Sequence, residues 1–163
     1  MKALSIKNPW AWLLQTGKKT IETRTWRTDH RGKILICVSK QDDDEAMQWL
    51  HGIESIDFKT MKDQRGMAIA IARLYDCRKM SERDESAAQC GYDESLFSWC
   101  LSDIETIKPF KVRGQLGLFD VDISERGEIK RRIQESDKIF WQARIASGRR
   151  TLFDFDQLAE TKI

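Results

Sequence analysis

Residues 16–27, TGKKTIETRTWR, place four cations (Lys18, Lys19, Arg24 and Arg27) around one carboxylate, Glu22, and one tryptophan, Trp26. Each residue type has a use on an anionic ligand. A guanidinium such as Arg24 gives a planar, two-pronged contact to a phosphate or a base edge, while Lys18 and Lys19 supply mobile point charges. Glu22 can accept a hydrogen bond from a base amino group or a ribose 2′-hydroxyl. A plain phosphate-binding patch has no need of it. Trp26 offers a face on which an unpaired base stacks, worth about 1 to 3 kcal/mol per base. Lys7 and Trp10 upstream, and Arg113 and Gln115 between the glycines of the later turn, can join the same ligand. Plainer roles exist for all of them. Glu22 and Arg24 serve equally as a rim ion pair contributing about 0 to 1 kcal/mol. Trp10 and Trp26 serve as core packing, and Arg113 and Gln115 as an exposed turn.

For these groups to act together, local elements must aim them. KALSI is a short apolar strand. In NPWAWLLQTG, Asn8 can cap a helix, Pro9 suits its first position and Gly17 can close it in a left-handed conformation. Trp10, Leu13 and Leu14 have the spacing of a buried stripe. After Gly17 the period changes to two, so KTIETRTW reads as a strand with Thr20, Glu22, Arg24 and Trp26 on one face. RGKILICVSK and GMAIAIARLYDC are strands, the second of them central. DDDEAMQWLHGI between them is a helix with acids in its first turn and Ala46, Met47, Trp49 and Leu50 as its buried stripe. Residues 78–95 read as a long polar loop with one helical turn. LFSWCLSDIETIKPF is a strand that Pro109 interrupts, and VRGQLGLFDVDI is a turn into a last strand. Five to six strands with few crossover helices predict an α+β fold, a small, mainly antiparallel barrel with short flanking helices.

From residue 124 onward the pattern becomes helical and charged. We expect one domain over 1–123 and a helical extension over 124–163 that docks on it through Ile129, Ile133, Ile139, Phe140 and Ile145. EIKRRIQE reads as a solvated helix side with local ion pairs. The basic runs KRR at 130–132 and RR at 149–150 can widen a phosphate-contacting face, and LFDFDQL is expected as an edge strand or short helix. Net charge is +2, but residues 1–40 hold nine Lys/Arg against two Asp/Glu, while residues 41–63 hold two against seven. One face should attract anions, as nucleic-acid contact requires. No apolar run approaches the roughly 20 residues of a membrane helix, and MKALSIKNPW lacks a secretory signal, so a cytoplasmic protein without a membrane partner is expected. The four cysteines lack CxxC spacing and the histidines are His30 and His51. Neither a metal site nor a disulfide framework nor a cofactor is expected, and Cys37 and Cys77 read as small buried hydrophobes.

ALSIKNPWAWLLQTGKKTIETRTW resembles the opening of the ASCH domain family, a PUA-like β-barrel, with Gly17, Lys19, Glu22 and Arg24 as its G-x-K-x-x-E-x-R signature. IKPFKVRGQLGLFDVDI is similar to the family's closing segment. The resemblance covers residues 1–123. It implies a cleft between the first helix and the barrel wall and an association with RNA or nucleotides, with protein partners unidentified. It also opens three functions. The first is an RNA-binding module using Lys7, Trp10, Lys18, Lys19, Glu22, Arg24, Trp26, Arg27, Arg113 and Gln115. The second is a ribonuclease in which Lys19 and Glu22 manage protons around a 2′-hydroxyl attack and Arg24 steadies the phosphorane. No histidine stands near the signature to shuttle protons at neutral pH, which puts the binder first. The third is hydrolysis of N4-acetylcytidine, performed by a branch of small relatives with a lysine and a threonine. Glu22 occupies that threonine's position here, so no nucleophile carries over.

Overall fold

A computed structural model describes residues 1–50 and 57–147. The chain divides into two units, Met1–Asp122 and Ile123–Ile163. In the first, β1 (Lys2–Ile6), β2 (Ile21–Arg24), β3 (Gly32–Val38), β4 (Met67–Lys79), β5 (Phe97–Lys111) and β6 (Leu118–Asp120) form one six-stranded sheet in the order β2-β5-β4-β3-β1-β6. Four of its five pairings are antiparallel, and β1 runs parallel to β3. The expected α+β, mainly antiparallel architecture is present as a mixed half-barrel with β2 and β6 at the two ends of the ladder. β4 is internal, as its composition implies. Every residue from Ala68 to Ala72 is buried, and small side chains let its neighbours approach on both faces.

Four short helices join this unit: α1 (Trp10–Gln15), α2 (Asp44–Leu50), α3 (Phe58–Asp63) and α4 (Glu85–Ala88). Gly17 takes φ +73 and ends α1 as expected. The start of α1 differs from the expectation, because Pro9 holds the cap position and Asn8 caps nothing. A buried amide must find partners. The Asn8 side-chain amide donates to the Met61 carbonyl at 2.9 Å, and the Asn8 backbone carbonyl accepts from the Asp43 amide at 2.7 Å. Asn8 therefore ties the entry of α1 to α3 and to the segment leading into α2. α3 was not anticipated, although Asp57 caps it by accepting from the Thr60 amide and Met61 supplies its buried contact.

Three further expectations change. Trp49 is 57% exposed, so the buried stripe of α2 is Met47 and Leu50. Pro109 does not interrupt β5, which runs through it to Lys111. β2 pairs with β5 only over Phe97–Cys100, and the ladder to β4 slips between Ala68 and Ala70. The proline thus sits where one side of β5 is unpaired and the other is bulged, the places a sheet tolerates a missing N–H. The polar stretch after β4 carries more helix than the single turn expected of it, a 3-10 turn over Glu82–Asp84 continuing into α4.

Cys37 and Cys77 are buried as expected, and burial pushes the Cys37 thiol up to about 12. No group of residues able to hold a metal occurs among the described residues, and no described helix is long and apolar enough to cross a membrane. The second unit contains α5 (Gly127–Ala146), with a Glu128–Arg132 ion pair at 2.8 Å of the kind expected for EIKRRIQE. Along this helix Ile129 is buried and Ile139 is 67% exposed. LFDFDQL, the Arg149–Arg150 pair and His51 lie outside the described residues.

Candidate nucleic-acid site

The turn after α1 delivers the signature. The Lys19 amide donates to the Leu13 carbonyl at 3.0 Å, which holds the start of the turn-to-strand segment against the helix. Lys19 is only 2% exposed. Its Nζ donates to the Ala88 carbonyl at the end of α4, stands 3.6 Å from Glu22 Oε2 and lies 5.3 Å from the centre of the Trp10 ring. Glu22, 5% exposed, sits two residues before Arg24 on β2, so the pleat puts both on one face. Arg24 Nη2 is 3.2 Å from Glu22 Oε1 and donates to the Ser5 carbonyl on β1 at 3.0 Å. A buried lysine and carboxylate are costly to desolvate, and this cluster offsets the cost by pairing each charge.

The α4 segment forms the third wall. Arg78 gives Asp84 a two-pronged contact, 2.6 Å at each oxygen, and the Ser81 amide and Ser98 hydroxyl also donate to Asp84. The Thr20 amide donates to the Ala87 carbonyl, so the segment that meets Lys19 is also stitched to the start of β2. Opposite it, Trp10 Nε1 donates to Asp43 Oδ2 at 3.0 Å. That hydrogen bond is the main reason the Asp43 carboxyl lies below its ordinary range, with the Ala46 amide and the Lys7 charge adding to it against burial.

These walls enclose a cavity of about 260 Å³ lined by Lys7, Trp10, Lys19, Glu22, Arg24 and Asp43, with Ile6, Thr23 and Cys90. A second cleft of about 760 Å³ adjoins it, because Lys7 and Arg24 line both. Trp26, Arg113 and Gln115 line the larger cleft. Trp26 is also core, since it meets Trp99 edge to face at 4.5 Å. The fold thus brings eight of the ten expected residues to one or other cleft. Lys18 and Arg27 line neither. Lys18 lies over the Trp12 ring, 5.0 Å from its centre, and Arg27 pairs with Asp29 at 3.0 Å. The sequence reading missed Asp43, Ser5, Cys90 and Lys40. Asp43 left one signal, the acceptor that a half-buried indole N–H requires.

Chemically the small cavity offers both donors and acceptors around an aromatic ring. Its carboxylates keep lone pairs beyond those their present partners use. It suits a ligand that carries amino or hydroxyl donors as well as negative charge. The ASCH domain family model matches residues 4–112. The crystal structure of ASCH from Zymomonas mobilis superposes with a TM-score of 0.53 at 14% identity, over 78% of this chain and 92% of that one, a likeness that speaks for the fold alone. Activating signal cointegrator 1 of Mus musculus and of Homo sapiens are each 25% identical to it over 143 residues, covering 83% of this chain and 25% of theirs. The chain spans about a quarter of the length of those relatives. With its signature residues gathered on this half-barrel and well over half its length matched, the chain belongs to the ASCH domain family.

Proposed function

We propose that this ASCH domain binds RNA and seats one unpaired nucleotide of a single strand in the cavity of Lys19, Glu22 and Arg24. The observation that carries the reading is Arg24, which is fixed by Glu22 and the Ser5 carbonyl and stands on the boundary of both clefts. A guanidinium held in place loses little freedom when a phosphate or base edge arrives. Glu22 beside it supplies an acceptor for an amino group or a 2′-hydroxyl. Lys19 acts as a fixed charge, since its ammonium is bound to the Ala88 carbonyl and almost wholly buried. ASCH domains are in general RNA-associated modules, and the basic first forty residues agree with such a role.

The test is fluorescence anisotropy of a labelled single-stranded oligouridylate titrated with wild-type protein and Arg24→Ala. A charge-assisted contact is worth about 1.5 to 3 kcal/mol, so the variant should bind at least about ten-fold more weakly. Wild-type affinity in an Arg24→Ala protein that keeps its near-ultraviolet circular dichroism would refute the reading. RNA cleavage by the wild type, abolished in Glu22→Gln without loss of binding, would replace it with a ribonuclease.

A further inference from the structure

We propose that the larger cleft is a track for the phosphodiester backbone, so that the site selects a single-stranded polynucleotide over a free nucleotide. The inference rests on the RNA reading of the small cavity and extends it. The two clefts have different chemistry. The small cavity sets Lys7, Lys19 and Arg24 against Glu22 and Asp43, a balance suited to a base and ribose with donors of their own. The larger cleft, about three times its volume, is lined by four cations, Lys7, Arg24, Lys40 and Arg113, and by no carboxylate among the described residues. An array of one sign recruits a repeating anion, each neutralised phosphate releasing counterions.

Those cations are far apart in the chain. Lys7 follows β1, Arg24 ends β2, Lys40 follows β3 and Arg113 lies between β5 and β6. The parallel pairing of β1 with β3 and the antiparallel pairing of β1 with β6 bring Lys40 and Arg113 to the Lys7 end of β1, and Arg24 reaches the same end through the Ser5 carbonyl. Several cations elsewhere in this unit are neutralised by carboxylates: Lys2 by Asp120, Arg65 by Asp42, Arg73 by Asp103 and Arg78 by Asp84. Lys40 and Arg113 form no ion pair among the described residues and keep their charge for a ligand.

The backbone fits the same purpose. A Cβ at Gly114 would meet Ser5 Oγ at 2.6 Å, so glycine is what lets the Arg113 turn close against β1. Ser5 Oγ and Arg24 Nε are buried and hold no hydrogen bond within the described residues. The Lys40 stem crosses Gly66, its Cγ 3.6 Å from where a Cβ would stand.

The test compares uridine 5′-monophosphate with a single-stranded oligouridylate of about ten nucleotides, a length typical of single-strand sites. The wild-type chain and the double variant Lys40→Ala/Arg113→Ala are titrated with both; both side chains are exposed, so the variant should fold. The double variant should lose about ten-fold or more in oligonucleotide affinity. Its slope of log K against log salt should shrink by about 1.4, at about 0.7 per phosphate contact. Its affinity for the mononucleotide should stay within about two-fold. Oligonucleotide binding equal to wild type with an unchanged slope overturns the inference and leaves the RNA reading standing. An equal loss of mononucleotide affinity, or tighter binding of a duplex than of the single strand, also overturns it. A wild type that binds neither probe removes the RNA reading and this inference together.

Discussion

Lys19 shows how one side chain can belong to both core and site. Its backbone is held to α1, its ammonium to the Ala88 carbonyl, and its charge to Glu22 and the Trp10 ring. Removing one partner of a buried pair costs about 3 to 5 kcal/mol, because the remaining charge is left without compensation. Arg24 would still pair with Glu22, which places the loss at the lower end. Lys19→Met should therefore lower the unfolding free energy by about 3 kcal/mol in urea denaturation. A loss below about 1 kcal/mol would mean that the cluster is a surface ion pair. At this scale the sequence was informative where the information is local. The alternation of Glu22 and Arg24 follows from the two-residue period of a strand, and it placed both on one face before any tertiary contact was known. Asp43 and Lys40 were invisible for the opposite reason. They reach the clefts through Asn8 and through the β1–β3 pairing, contacts that no local pattern encodes.

Among the elements, the segment from Ser81 to Cys90 positions the site without contributing any of its cations, holding the Lys19 ammonium through the Ala88 carbonyl. Asp84, 4% exposed, anchors it through Arg78, Ser81 and Ser98. The Arg78 guanidinium, followed by the Ser81 and Ser98 donors, holds the Asp84 carboxyl well below the usual carboxylate range against the opposing effect of burial. A depressed folded value means that the ionised form stabilises the fold. That contribution is complete above about pH 4, the value of an unfolded aspartate, and is lost as pH falls through the folded value. Urea midpoints should therefore drop on acidification below about pH 4. Asp84→Asn should start about 3 kcal/mol less stable at neutral pH, the lower end for a broken buried pair because Arg78 is 44% exposed, and should show a shallower acid decline. A variant whose acid profile runs parallel to wild type would show that other carboxylates set the dependence. Sequence reasoning found the strands and α1 because period and punctuation mark them, yet read this segment as a long polar loop with a single helical turn. Its order comes from a carboxylate bonded to residues in β4 and β5, and α4 is too short for periodicity to reveal. Pro109 misled for a similar reason, since only the short reach of β2 makes a proline acceptable there.

At the scale of the molecule, the half-barrel brings Lys7, Lys19, Arg24 and Lys40 from the basic early sequence and the late Arg113 turn onto adjoining clefts, while among the described residues the acidic stretch after β3 contributes only Asp43 to the small one. The asymmetry seen along the chain becomes an asymmetry in space, which is how a nearly neutral protein can still steer a polyanion to one place. Trp49 and Tyr75, both more than half exposed, line neither cleft and serve as internal controls. Photocrosslinking of a 4-thiouridine-labelled single strand, mapped by mass spectrometry, reads the position of the ligand directly. Crosslinks should fall in peptides containing Trp10, Trp26, Lys40 and Arg113 and should fade with added salt or in Arg24→Ala. Crosslinks confined to peptides around Trp49 or Tyr75, or equally strong in Arg24→Ala, would contradict the assignment of RNA to these clefts.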